Sequence, residues 1–81
     1  MNRLNLSSVS VYPNPTDGNL TISGDELFTE LVLTDVSGKI PDRTSLYPSG
    51  MVSYPIHQPE GVYFLKITAG KSTVVKKILV R

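Results

Sequence analysis

No stretch of this chain repeats its apolar residues at helical spacing. Short alternating apolar runs recur instead, cut about every eight to twelve positions by Gly, Pro, Asn, Asp and Ser. That punctuation leaves little besides an all-β fold. It predicts strands over residues 8–12, 19–23, 30–36, 39–40, 51–57, 61–69 and 72–80, and no helix. Leu31, Val32 and Leu33 are apolar on both parities, so the 30–36 strand is expected to be covered on both sides. Pro41 shortens the 39–40 strand, and Pro55 marks the 51–57 strand as an edge. The turns are placed at Tyr12–Gly18, Ser23-Gly24-Asp25, Ser37-Gly38 and Gly70-Lys71, with residues 42–50 as a loop. About seven antiparallel strands call for a two-sheet immunoglobulin-like β-sandwich.

The first apolar run changes phase: Leu4 and Leu6 share one parity, Val9 and Val11 the other. A one-residue slip reverses the faces of a strand. Residues 1–7 therefore read as a linker or bulged lead-in, and residues 8–81 as the domain.

With 81 residues, roughly 60% of the unfolded surface can be buried. That allows one modest core and no deep enclosed active site. Composition is globular, with 40% hydrophobic and 19% charged residues. The absence of cysteine removes disulfides and thiolate zinc sites, and the single His57 cannot build a histidine cage. No cofactor is expected. Net charge is +1, with a local basic excess only at Lys66, Lys71, Lys76, Lys77 and Arg81, too narrow a footprint for nucleic acid. No run is long enough for a transmembrane helix, and Met1–Asn5 does not open a signal peptide. If the protein is exported, its export signal is expected upstream of these residues.

Catalytic chemistry finds little support. Apart from Glu30 and Asp35, the acids sit in expected turns, and adjacent Asp25 and Glu26 read as solubility residues. A carboxylate pair needs two groups converging in a cleft. His57, beside Gln58-Pro59, reads as an exposed loop histidine. There is no Gly-x-Ser-x-Gly elbow and no phosphate loop. Asn14 with Asp17 offers only two oxygen ligands toward calcium. Asn5-Leu6-Ser7 and Asn19-Leu20-Thr21 match the glycosylation pattern, a short match that arises readily by accident. The expectation is a non-enzyme.

Three segments remain, and the end of the sequence joins them. They are Tyr12-Pro13-Asn14-Pro15 followed by Gly18; Leu33-Thr34-Asp35-Val36-Ser37-Gly38-Lys39; and Gly61-Val62-Tyr63-Phe64-Leu65-Lys66-Ile67. Lys76-Lys77-Ile78-Leu79-Val80 follows them. In this order and spacing the chain resembles, over residues 9–81, the C-terminal sorting domain (type A) of proteins exported by the type IX secretion system of Bacteroidetes. The resemblance implies an immunoglobulin-like sandwich and an export address that carries a cargo from the periplasm to the cell surface or the medium. It implies an outer-membrane translocon, a shuttle protein, a sortase-like peptidase and an N-terminal cargo domain as partners. It places recognition at Gly61, Tyr63, Lys76, Lys77, Ile78, Leu79 and Val80. Pro41, and Gln58 where a leucine-like residue is usual, depart from the pattern and put the middle strands in question.

Each residue also has a plainer role. Tyr12 is either a core aromatic or part of the signal, and Pro13 and Pro15 either stiffen a turn or belong to it. Gly61 and Tyr63 serve either folding or contact. Of the two lysines, one either guards a sheet edge or meets a partner. An immunoglobulin-like adhesion or carbohydrate-binding module is the alternative function. It would want exposed aromatics in a row, and Tyr47 and Tyr54 are the candidates. In the sorting reading, the final strand is expected to be captured at an exposed sheet edge.

Overall fold

A computed structural model describes residues 9–81. The expected lead-in over 1–7, with its phase change and glycosylation pattern, lies outside the described residues. The described chain is all β, with no helix and five strands in one antiparallel sheet. They are β1 (Ser10–Tyr12), β2 (Asn19–Asp35), β3 (Asp42–Pro55), β4 (Gly61–Ala69) and β5 (Ser72–Val80). The order is β1-β2-β4-β5, and β3 pairs with β2.

Five strands replace the expected seven because the 19–23 and 30–36 strands are one continuous strand and residues 39–40 form none, while β3 begins at Asp42, nine residues before its expected start. The turn expected at Ser23-Gly24-Asp25 is a bend within β2, where its register on β3 shifts on either side of Phe28. Inserted residues of this kind re-aim a strand and change its inward parity. Leu20 and Ile22 face the core before the bend, and Leu31 and Leu33 after it. Gly24 permits the bend, since a Cβ there would stand 2.9 Å from Cζ of the buried Phe28. The expected loop 42–50 is the first half of β3, where Leu31 pairs with Thr44 and Glu30 with Ser45. Residues 39–40 form no strand. Asp35 closes that hairpin by accepting from the Ser37 amide and hydroxyl and from the Lys39 amide at 2.7–3.0 Å. Asp25, Glu26 and Asp42 consequently lie in strands rather than turns.

The long β2–β3 ribbon curls. Asp42 and Tyr54 stand twelve residues apart on β3, about 40 Å if extended. Yet the Tyr54 hydroxyl donates to the Asp42 carboxylate, which also accepts from Thr44 at 2.9 Å. The first half of β2 packs with β1 and the end of β3, its second half with β4 and the start of β3. Val9, Leu20, Ile22, Phe28, Leu31, Leu33, Tyr54, Ile56, Tyr63, Leu65, Ile67, Ile78 and Val80 fill the space between the halves. Each fully buried Leu, Ile or Phe contributes about 1.5–3 kcal/mol. Val32, facing away from that core, is also buried. It lies in register between Arg43 and Lys66, long side chains whose aliphatic stems can cover apolar surface.

Candidate recognition site around the last strand

β5 alternates cleanly. Ile78 and Val80 are buried in the core, Lys76 is half-buried, and Thr73, Val75, Lys77 and Leu79 are exposed. β4 pairs with β5 along its whole length, from Gly61 against Val80 to Ala69 against Ser72. The opposite edge of β5 is open to other partners, and the Tyr-Pro-Asn-Pro segment supplies one.

The Asn14 side chain acts there as a surrogate peptide group. Its Nδ2 donates to the Lys77 carbonyl at 2.8 Å, and its Oδ1 accepts from the Leu79 amide at 3.0 Å. Two residues later the main chain takes over. The Thr16 amide donates to the Leu79 carbonyl at 2.8 Å, and the Arg81 amide donates to the Thr16 carbonyl at 3.0 Å. Thr16 and Val80 form a parallel bridge. The outward backbone groups of β5 from the Lys77 carbonyl to the Arg81 amide are thereby satisfied, as edge groups otherwise are not. Arg81 and Asp17 add a 3.4 Å ion pair, exposed and worth little by itself.

Thr16 is the hinge of this cap and was missed in the sequence. Its buried hydroxyl donates to the Asn19 carbonyl at 2.7 Å and accepts from the Gly18 amide at 3.1 Å. The hydroxyl-to-amide contact two residues on is an ST-turn, for which Thr-Asp-Gly is a readable signal. Gly18 in turn accepts from the Ile56 amide at 2.6 Å. Pro13 and Pro15 are exposed, and both follow cis peptide bonds. Tyr12 is 46% exposed at the end of β1, so it is not a core aromatic.

Gly61 and Tyr63 stand at the start of β4. Gly61 has φ +153°, a conformation that side chains rarely adopt. Tyr63 is buried, in register with Ile78, and its hydroxyl donates to the Pro59 carbonyl at 2.7 Å. These placements give both residues a folding role. Gly38 sits in the hairpin, its amide donating to the Asp35 carbonyl at 3.1 Å.

The structure thus joins Tyr12–Gly18, Gly61, Tyr63 and residues 76–80 in one region, while Gly38 belongs to the β2–β3 hairpin, which starts after Asp35, the register partner of Tyr63. Within the terminal set, only Lys77 and Leu79 are exposed.

The remaining polar groups gather near His57. A small cavity of about 140 Å³ is lined by Pro41, Asp42, Tyr54 and His57 among others. Bonding from the Tyr54 hydroxyl lowers the Asp42 carboxyl below its ordinary value, with help from Thr44. Burial, then the Asp42 bond, pushes the Tyr54 phenol up. The group binds the two ends of β3 together, and exposed His57 stands at its rim. Asp35 is likewise lowered, chiefly by the Ser37 hydroxyl. Asn14 and Asp17 are engaged with β5 and Arg81 rather than with each other.

Residues 10–81 match the family described as Secretion system C-terminal sorting domain. No curated protein matches the chain.

Proposed function

The chain belongs to the secretion system C-terminal sorting domain family of type IX secretion, and from this we propose that it addresses a cargo to the outer-membrane translocon. The domain itself carries out no reaction. A shuttle protein and a sortase-like peptidase act on it in turn, and the peptidase removes it once the cargo reaches the cell surface or the medium. The observation that carries this reading is the family match, which takes in every segment of the pattern but residue 9. The bonds from Asn14 and Thr16 to β5 support it, because they make the opening motif and the last strand one structural unit. The curl of β2 and β3 supports describing the fold as an immunoglobulin-like sandwich, the two halves of the bent sheet serving as its layers.

Capture of the last strand by edge addition takes a modified form. Its end is already covered, so a partner strand would pair with the stretch nearer Thr73 or displace Asn14. The adhesion reading loses the aromatic row it needs, since Tyr54 is buried and Tyr47 stands without it.

The test is a periplasmic reporter carrying residues 1–81 in a type IX-competent host, with and without residues 76–81. The intact fusion is expected outside the outer membrane and the shortened one in the periplasm. Retention of the intact fusion, or equal export of both, removes the reading.

A further inference from the structure

The charge of this molecule is divided by sequence position and by structure. All seven acidic residues precede Gly61, whereas five of the eight basic ones follow it. The β4–β5 hairpin therefore contains no carboxylate side chain of its own. Its outward face is built from register pairs: Val62 with Leu79, Phe64 with Lys77, and Lys66 with Val75. Phe64, Val75 and Leu79 are 37%, 56% and 42% exposed, and both lysines are exposed as well. Among the described residues, neither Lys66 nor Lys77 has a salt-bridge partner; the two ion pairs are Arg43–Glu30 and Arg81–Asp17. Apolar side chains and unneutralised ammonium groups alternate across one two-strand surface.

Resting on the sorting reading, we propose that this outward face of β4–β5 is the docking surface for the export machinery, and that its occupant is a protein surface with apolar ground and carboxylates opposite Lys66 and Lys77. Charge complementarity selects the occupant. Isolated cations within an apolar patch gain most from fixed carboxylates in a partner that also excludes water, and like charges facing them are penalised. The surface divides the terminal set by face. Lys77 and Leu79 make contact, while Ile78 and Val80 act by holding β5 in the core. Phe64 and Lys66, on the neighbouring strand, enter as contact residues. Bonds between the Asn14 side chain and the backbone of Lys77 and Leu79 fix the strand that presents the face.

The test uses the full-chain reporter fusion. Lys66→Glu with Lys77→Glu is compared with the unmodified fusion and with Lys39→Glu, a charge reversal on the β2–β3 hairpin outside this face. The double reversal is expected to cut export by at least about tenfold, as like charge replaces attraction, while Lys39→Glu leaves it unchanged. Lys66→Gln with Lys77→Gln is run beside it, and the melting of each purified domain is measured. Were the reversal to unfold the domain, reduced export by a folded glutamine pair would still support the proposal. Normal export by a folded double variant overturns it. Flotation with phosphatidylethanolamine–phosphatidylglycerol vesicles provides the other arm. Binding that depends on both lysines would make a membrane the occupant and overturn the protein partner. An unmodified fusion that stays in the periplasm fails at the earlier step and takes both readings with it, whereas an exported unmodified fusion with equal export of the folded double variants removes this one alone.

Discussion

Asn14 does at the level of one side chain what a strand does with its backbone. A carboxamide presents one donor and one acceptor in the geometry of a peptide group, and Asn14 sets both against β5. Aspartate cannot replace it, because the Lys77 carbonyl needs a donor. Asn14→Ala removes two bonds at an exposed site, where water partly replaces them. The expected loss is about 1 kcal/mol in denaturant unfolding, within the range for single hydrogen bonds. Amide exchange at Leu79 should quicken by more than exchange at core positions, since the end of β5 frays first. Unchanged protection at Leu79 would contradict the cap. The sequence exposed this residue as part of a motif between two prolines but gave no hint of its partner. Nothing local to Asn14 points to a strand more than sixty residues away.

The elements were most legible where alternation was undisturbed. β4 and β5 lie within a residue of their expected limits because Tyr63, Leu65 and Ile67, and then Ile78 and Val80, keep one parity throughout. β2 and β3 were not, since a bulge erases the very periodicity from which a strand is read. Gly24 looked like a turn residue, whereas it gives the Phe28 ring room inside a bent strand. Gly24→Ala should cost about 1–3 kcal/mol, the range for overfilling a packed core, measured by thermal or chemical unfolding. An unchanged midpoint would show that the ring moves aside freely. The curl of β3 has its own signature in pH. Asp42 is held below its ordinary value of 3.8 in the folded state. Its contribution is therefore present above that value and lost as pH falls through the lower folded one. Tyr54, raised instead, contributes below the ordinary phenol range near ~10 and loses that contribution as pH climbs through its raised value. Asp42→Asn should lower stability at neutral pH and flatten the acid limb of the profile. A parallel acid limb in the variant would mean the bond does not form in solution.

For the whole molecule, sequence and structure divide the account between them. Order and spacing of the motifs pointed to the sorting family, and the match over residues 10–81 shows it. What the sequence could not separate were residues that hold the fold from residues that meet a partner, because both occur in the same short runs. Burial sorts them by face. Tyr63, Ile78 and Val80 face inward, while Lys77 and Leu79 face solvent beside Phe64 and Lys66. The central claim is that this one domain, intact and folded, commits a cargo to the type IX route. The most direct measurement fractionates a periplasmic reporter fused to residues 1–81, in a type IX-competent host and in the same host lacking its outer-membrane translocon. The reporter is expected outside the outer membrane in the first and retained in the periplasm in the second. The same distribution in both hosts would contradict it.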